Sequence, residues 1–167
     1  MIGAGDEPGR ALVRRAGPAD VAGLVELRAQ MLLAMGTDVT ADGGRWRSAA
    51  AEWFARRMDD PATFAAFVAQ LPGGGLVSGA AGACESRAPS PSNPSGVHGH
   101  VSNVSTLPGH RRRGYARACL VELLDWFARD TRARVLDLSA TGEGAALYRD
   151  LGFGPPRFEP MRLALEP

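Results

Sequence analysis

The chain has 167 residues, 45% of them hydrophobic and 22% charged, enough for one domain with a sizeable core and too short for two ordinary ones. A formal net charge of +1 excludes a general polyanion-binding surface, which needs a strong basic excess. No uninterrupted apolar run approaches membrane-spanning length. Residues 1–10 are glycine-rich and acidic, without the apolar centre of a signal peptide, so they read as a flexible N-terminus ahead of a single domain over residues 11–167, with the cytoplasm as the default compartment. Cys84 and Cys119 fall in different elements and make no disulfide framework, so a reduced, packed state is expected.

In chain order, Ala11 to Arg15 reads as a short strand, and Pro18 with Asp20 starts a helix whose Val21, Leu24, Val25, Leu32 and Met35 recur at three- and four-residue steps. Gly36 to Gly44 interrupts that pattern, and Arg45 to Met58 resumes it as a second helix carrying Trp46, Trp53 and Phe54. Thr63 to Gln70 and Leu76 to Glu85 read as strands of a hairpin, joined by the turn Leu71-Pro72-Gly73-Gly74-Gly75. Ser86 to Gly96 holds three prolines and four serines, which predicts a mobile loop rather than a packed strand. Val101 to Thr106 is the next strand. Gly114 to Arg129 follows as a helix with the stripe Ala116, Leu120, Leu123, Leu124 and Phe127, then a strand over Arg134 to Ser139, a short helix over Gly144 to Leu151 and a last strand over Arg157 to Leu165.

The most informative stretch is His110-Arg111-Arg112-Arg113-Gly114-Tyr115-Ala116-Arg117, which joins a strand to a strongly periodic helix. A helix start leaves backbone N–H groups without intrahelical partners, and the peptide dipoles make that end positive. Gly114 lets a phosphate approach the backbone, and the arginines add fork-shaped donors that stay charged near neutral pH. The junction therefore suits a pyrophosphate. It is neither a Walker loop, since no Gly-Lys-Ser/Thr follows, nor a Gly-x-Gly-x-x-Gly dinucleotide turn. The alternative is a solvated basic helix start. Nucleic-acid binding through Arg111 to Arg117 is disfavoured by the near-neutral total charge and by the lack of interleaved aromatics beyond Tyr115.

The pattern Arg111-x-x-Gly114-x-Ala116 resembles the acetyl-CoA loop of the GNAT superfamily of N-acyltransferases, Gln/Arg-x-x-Gly-x-Gly/Ala. About thirty residues later, Leu147-Tyr148-Arg149-Asp150-Leu151-Gly152-Phe153 resembles the family's Leu-Tyr-x-x-x-Gly-Phe element. Order and spacing agree from roughly Val97 onward, and the first ninety residues agree only in their coarse pattern of elements. The resemblance implies an α+β fold of three layers, α/β/α, around a central, mostly antiparallel mixed sheet of six to seven strands. It also implies an acetyl-CoA-dependent N-acetyltransferase that acts on a primary amine of a small molecule or of a peptide or protein, with no metal. Family members often pair as dimers, which leaves a homodimer open. A non-catalytic acyl-CoA-binding module of the same fold is the alternative; it would need the arginine loop but neither Tyr148 nor His100. Because all nineteen basic residues are arginine, an amine acetyltransferase with this sequence has no lysine of its own to acetylate.

By the same resemblance, Val104, Ser105 and Thr106 would pair with the pantetheine arm like an added strand, and Arg112, Arg113, Gly114, Tyr115, Ala116 and Arg117 would take the pyrophosphate. Tyr148 is the candidate general acid, its phenol being protonated near neutrality, with a packing role as the alternative. His100 falls where the histone-acetyltransferase branch carries a glutamate base. Its alternative is a half-exposed strand histidine. Glu85 is the second candidate base and a water relay the third. Two positions depart from the N-terminal-amine branch of the family: Thr141 stands where that branch has a cofactor-contacting asparagine, and Leu136 replaces its glutamate base. Met31, Met35, Trp46 and Trp53 are candidates for the acceptor cleft or the core, and Asp38 and Asp42 for its mouth or for solvated loops.

Overall fold

A computed structural model describes residues 11–165; the expected flexible N-terminus, residues 1–10, lies outside the described residues. Five strands form one sheet in the order β1-β2-β3-β4-β5: β1 (Leu12–Arg15), β2 (Phe64–Gln70), β3 (Leu76–Ser86), β4 (Val97–Thr106) and β5 (Val135–Asp137). Neighbours are antiparallel except β4 and β5, which run parallel. The α-helices among the described residues are α1 (Val21–Ala34), α2 (Arg45–Met58), α3 (Tyr115–Asp130) and α4 (Ala145–Asp150).

The interior strand β2 explains the layering. Its residues from Phe64 to Ala69 are all buried, because both faces of the sheet are covered. Phe64, Ala66 and Val68 pack with Leu24, Val25 and Phe54 of α1 and α2, while Ala65, Phe67 and Ala69 pack with Leu120, Leu123 and Phe127 of α3. Alternation along one strand therefore feeds two cores. On the α3 side the helix comes close enough that a Cβ on Gly82 would lie 2.6 Å from the Phe127 ring, and one on Gly99 would collide with Leu136. Small residues on β3 and β4 thus set how near α3 can lie, and with it where its N-terminus points.

The helix starts are fixed locally. Asp20, nearly buried, accepts from the Gly17 N–H at 2.8 Å and pairs with both Arg14 nitrogens at 2.7 and 2.8 Å, tying β1 to the turn that opens α1. Asp42 accepts from the Trp46 N–H at 2.7 Å at the start of α2, and Asp38 accepts from Thr40. Both carboxylates are turn and cap groups. The Trp46 indole donates to the Val39 carbonyl and Trp53 packs edge-on against Phe54 and Phe64, and neither lines the cleft described below.

Two expectations are corrected. Among the described residues the sheet has five strands, not six to seven: Arg157 to Leu165 forms no strand, and Phe158, Met161, Leu163 and Leu165 stand between 75% and 94% exposed. Pro155 and Pro156 precede that stretch and Pro160 removes a ladder donor within it, which disfavours a strand there without forbidding one. Ser86 to Gly96 is a loop and not a packed strand, as its composition predicts, and it closes on itself: the Arg87 N–H reaches the Gly96 carbonyl at 2.8 Å and the buried Asn93 side chain donates to Val97 at 3.0 Å. Met35 lies past the end of α1 and is exposed instead of joining its buried face.

Candidate active site

β4 and β5 pair only across His98 to His100, after which they part. Beyond that point Val101 to Thr106 bonds to β3 on one side and, among the described residues, to no strand on the other. Unpaired strand backbone is a ready acceptor for an extended, amide-bearing ligand. The gap widens into a cleft of about 830 Å³, walled by β4 from His100 to Thr106, by Leu138, Ser139 and the Thr141 to Tyr148 segment opposite, and by Arg28, Met31, Ala34 and Met35 of the α1 end. A register shift in the β3–β4 ladder bends β4 here, with Asn103 at φ +52°.

The cleft runs on into a hollow of about 550 Å³ at the start of α3, the two sharing Thr106, Arg111, Ala116 and Leu147. Gly114 is the residue before the helix, at φ +80°, and Arg112 also takes a left-handed φ of +61°. The Ala118 N–H is the first bonded back to Gly114, at 3.0 Å, so the N–H groups of Tyr115, Ala116 and Arg117 have no helical partner. A Cβ on Gly114 would touch no protein atom. The glycine is required by its φ, and the space above it belongs to whatever binds there.

At the other end, His100 Nδ1 lies 2.5 Å from Asp137 Oδ1, joining β4 to the end of β5. A carboxylate oxygen accepts, so the ring donates from Nδ1, and in the neutral imidazole Nε2 then carries the free lone pair. Arg87 spans Asp137 at 3.4 Å and Glu85 at 3.3 Å. Tyr148 packs edge to face with Phe153 and over Gly144, and burial pushes its phenol above the ordinary tyrosine range. Among the described residues its hydroxyl has no hydrogen-bond partner.

The profile of the Acetyltransferase (GNAT) family matches residues 38–153, well over half the chain. The chain belongs to this family. Among curated proteins no sequence match reaches significance. By structure, this GNAT chain is similar to a predicted acetyltransferase from Clostridium acetobutylicum solved with acetyl-CoA (TM-score 0.81, 22% identity, 92% of this chain and 95% of that one). It is also similar to a GCN5-related N-acetyltransferase from Ralstonia eutropha (0.75, 23%, 93% and 99%) and to glucosamine-6-phosphate N-acetyltransferase from Arabidopsis thaliana (0.68, 14%, 91% and 97%). The protein is an acyltransferase of GNAT fold.

Within this acetyltransferase, His100, Val104, Ser105, Thr106, Thr141 and Tyr148 line the one cleft, and Arg112, Gly114, Tyr115, Ala116 and Arg117 line the hollow that continues it. Arg113 is exposed and lines neither, and Glu85 is engaged by Arg87 at the far end of β3 instead of facing the cleft. Sequence reasoning missed Asp137 and Arg28. Asp137 carries no motif, and only the β4–β5 register, which sets it directly beside His100, reveals it. Arg28 is one of nineteen arginines, singled out only because α1 crosses β4 at Asn103.

Proposed function

We propose that the protein moves an acetyl group from acetyl-CoA to a primary amine of a small molecule or of a peptide or protein. The observation that carries this reading is one continuous cleft with a positively polarised helix start at one end and a carboxylate-held imidazole with a protonated phenol at the other. The residues fit acetyl-CoA: the free N–H groups of Tyr115, Ala116 and Arg117, with Arg112 and Arg117, would hold its pyrophosphate, and the unpaired backbone of Val104 to Thr106 its pantetheine arm. Bound there, it supplies an acyl group activated as a thioester.

The chain's own groups then divide two proton movements. His100 Nε2 accepts a proton from the incoming amine, directly or through water, while Asp137 holds the ring and stabilises the imidazolium that results. Tyr148 Oη donates its proton at the departing sulfur. Burial favours the neutral phenol, so the donor is loaded throughout the neutral range. Thr141 lies on the wall facing β4, where it would bound the cofactor.

The test is a screen in which purified protein and acetyl-CoA are offered amino acids, amino sugars, diamines and peptides while free thiol is followed and products are identified by mass spectrometry. Amine-dependent thiol release with an acetylated amine product is expected. Release confined to hydroxyl or thiol acceptors overturns the amine reading, and binding of acetyl-CoA with no release under any acceptor leaves a non-catalytic module.

A further inference from the structure

The acceptor end of the cleft has an electrostatic feature that the proposed chemistry does not use. Arg28, half-buried on α1, donates Nη1 to the Asn103 side-chain oxygen at 2.6 Å. Among the described residues it has no carboxylate within ion-pair reach. Two other half-buried arginines do, Arg14 meeting Asp20 at 2.7 Å and Arg47 meeting Glu26 at 3.0 Å, while a third, Arg57, lies over the Trp53 and Phe64 rings and faces no cleft. A guanidinium is always charged, and withdrawing it from water beside a neutral amide leaves most of its charge uncompensated. Bracing Asn103 alone would need only a single neutral donor. The contact instead fixes one arm of the fork and leaves the remaining donors beside a cleft whose one acidic side chain, Glu143, is exposed on the segment across from β4. Met31 and Met35, one and two turns on from Arg28, supply polarizable apolar contact next to it.

We propose that the acceptor carries an anionic group, carboxylate or phosphate, beside its amine, and that Arg28 binds that group while Met31 and Met35 contact the acceptor's carbon skeleton. The inference rests on the amine-acetylation reading above. Arg28 thereby sets which amines enter in the productive orientation, a role separate from proton transfer at His100 and Tyr148.

Matched acceptors test it: a free amino acid against its carboxamide, and phosphoethanolamine against ethanolamine, each compared by kcat/KM for the parent and for Arg28→Gln, which keeps a donor for Asn103. In at least one pair the parent is expected to favour the anionic member on the order of tenfold or more, and the variant to bring that ratio close to unity. The pair that responds tells carboxylate from phosphate. A parent ratio near unity in both pairs, or a ratio unchanged in Arg28→Gln, overturns the proposal and leaves Arg28 as a brace. Calorimetric titration of the same compounds in the presence of CoA separates the two readings. If no amine is acetylated but the anionic member binds the parent and not the folded variant, the subsite stands and the amine reading fails; equal binding to both overturns the subsite.

Discussion

At the scale of single residues, the short His100–Asp137 contact makes the imidazole's tautomer a measurable property. With labelled histidine, the nitrogen shifts of neutral His100 should show Nδ1 protonated and Nε2 bare, and Asp137→Asn should lose that preference while kcat/KM falls on the order of tenfold or more. An unchanged tautomer and an unchanged rate would remove Asp137 from the mechanism. Tyr148→Phe leaves the ring packed on Phe153 and Gly144 but deletes the proton donor, so kcat should drop on the order of a hundredfold with KM little altered. Because burial raises the phenol, its ionisation sets an alkaline limit above the ordinary tyrosine range of about 10, and the pH–rate profile of the parent should not decline before that range. A folded Tyr148→Phe protein with parental turnover would make the tyrosine a packing residue.

At the scale of elements, the junction of β4 and α3 depends on two left-handed residues, Arg112 and Gly114. Gly114→Val should cost about 1–2 kcal/mol of stability from the φ of +80° alone, since its Cβ meets no protein atom, yet should reduce acetyl-CoA binding far more than that strain accounts for. Calorimetry on the folded variant decides, and parental affinity would move the cofactor elsewhere. This junction was readable from sequence because a glycine, a helix start and an arginine cluster coincide within eight residues. The order of the elements was readable too, as periodicity changed cleanly between strands and helices from Leu12 to Asp150. The missing sixth strand was not: Met161, Leu163 and Leu165 alternate as a strand would, and only pairing, a tertiary property, tells an alternating segment from a strand. The composition of Ser86 to Gly96 marked a loop but not its shape, since prolines and serines describe solvation and not the Asn93 bonds that close it. Asp137 and Arg28 gain their meaning from β4 alone, which touches one across the ladder and the other across the helix.

For the whole molecule, the Arg14–Asp20 pair links fold stability to pH. Arg14 holds the Asp20 carboxyl below its ordinary value, with the Gly17 N–H adding to the effect. A depressed carboxylate contributes stability that is fully present above its unfolded pKa of about 3.9 and is lost as pH falls through the lower folded value. Asp20→Asn should therefore cost about 1–3 kcal/mol near neutrality, and the gap between variant and parent melting curves should close on acidification below about pH 4. A gap that stays constant down to strong acid would show that the carboxylate's charge contributes nothing. The parting of β4 from β5 has a different kind of consequence. What the sheet withholds there is main-chain pairing, and peptide groups are the same whatever side chains they carry. A ligand that completes such an edge is gripped by main-chain atoms every residue but proline possesses, so side chains there that neither pack in the core nor bond to neighbours can change while the grip persists. Such a surface leaves almost no signature in the amino-acid string, and relatives can preserve it while sharing little else.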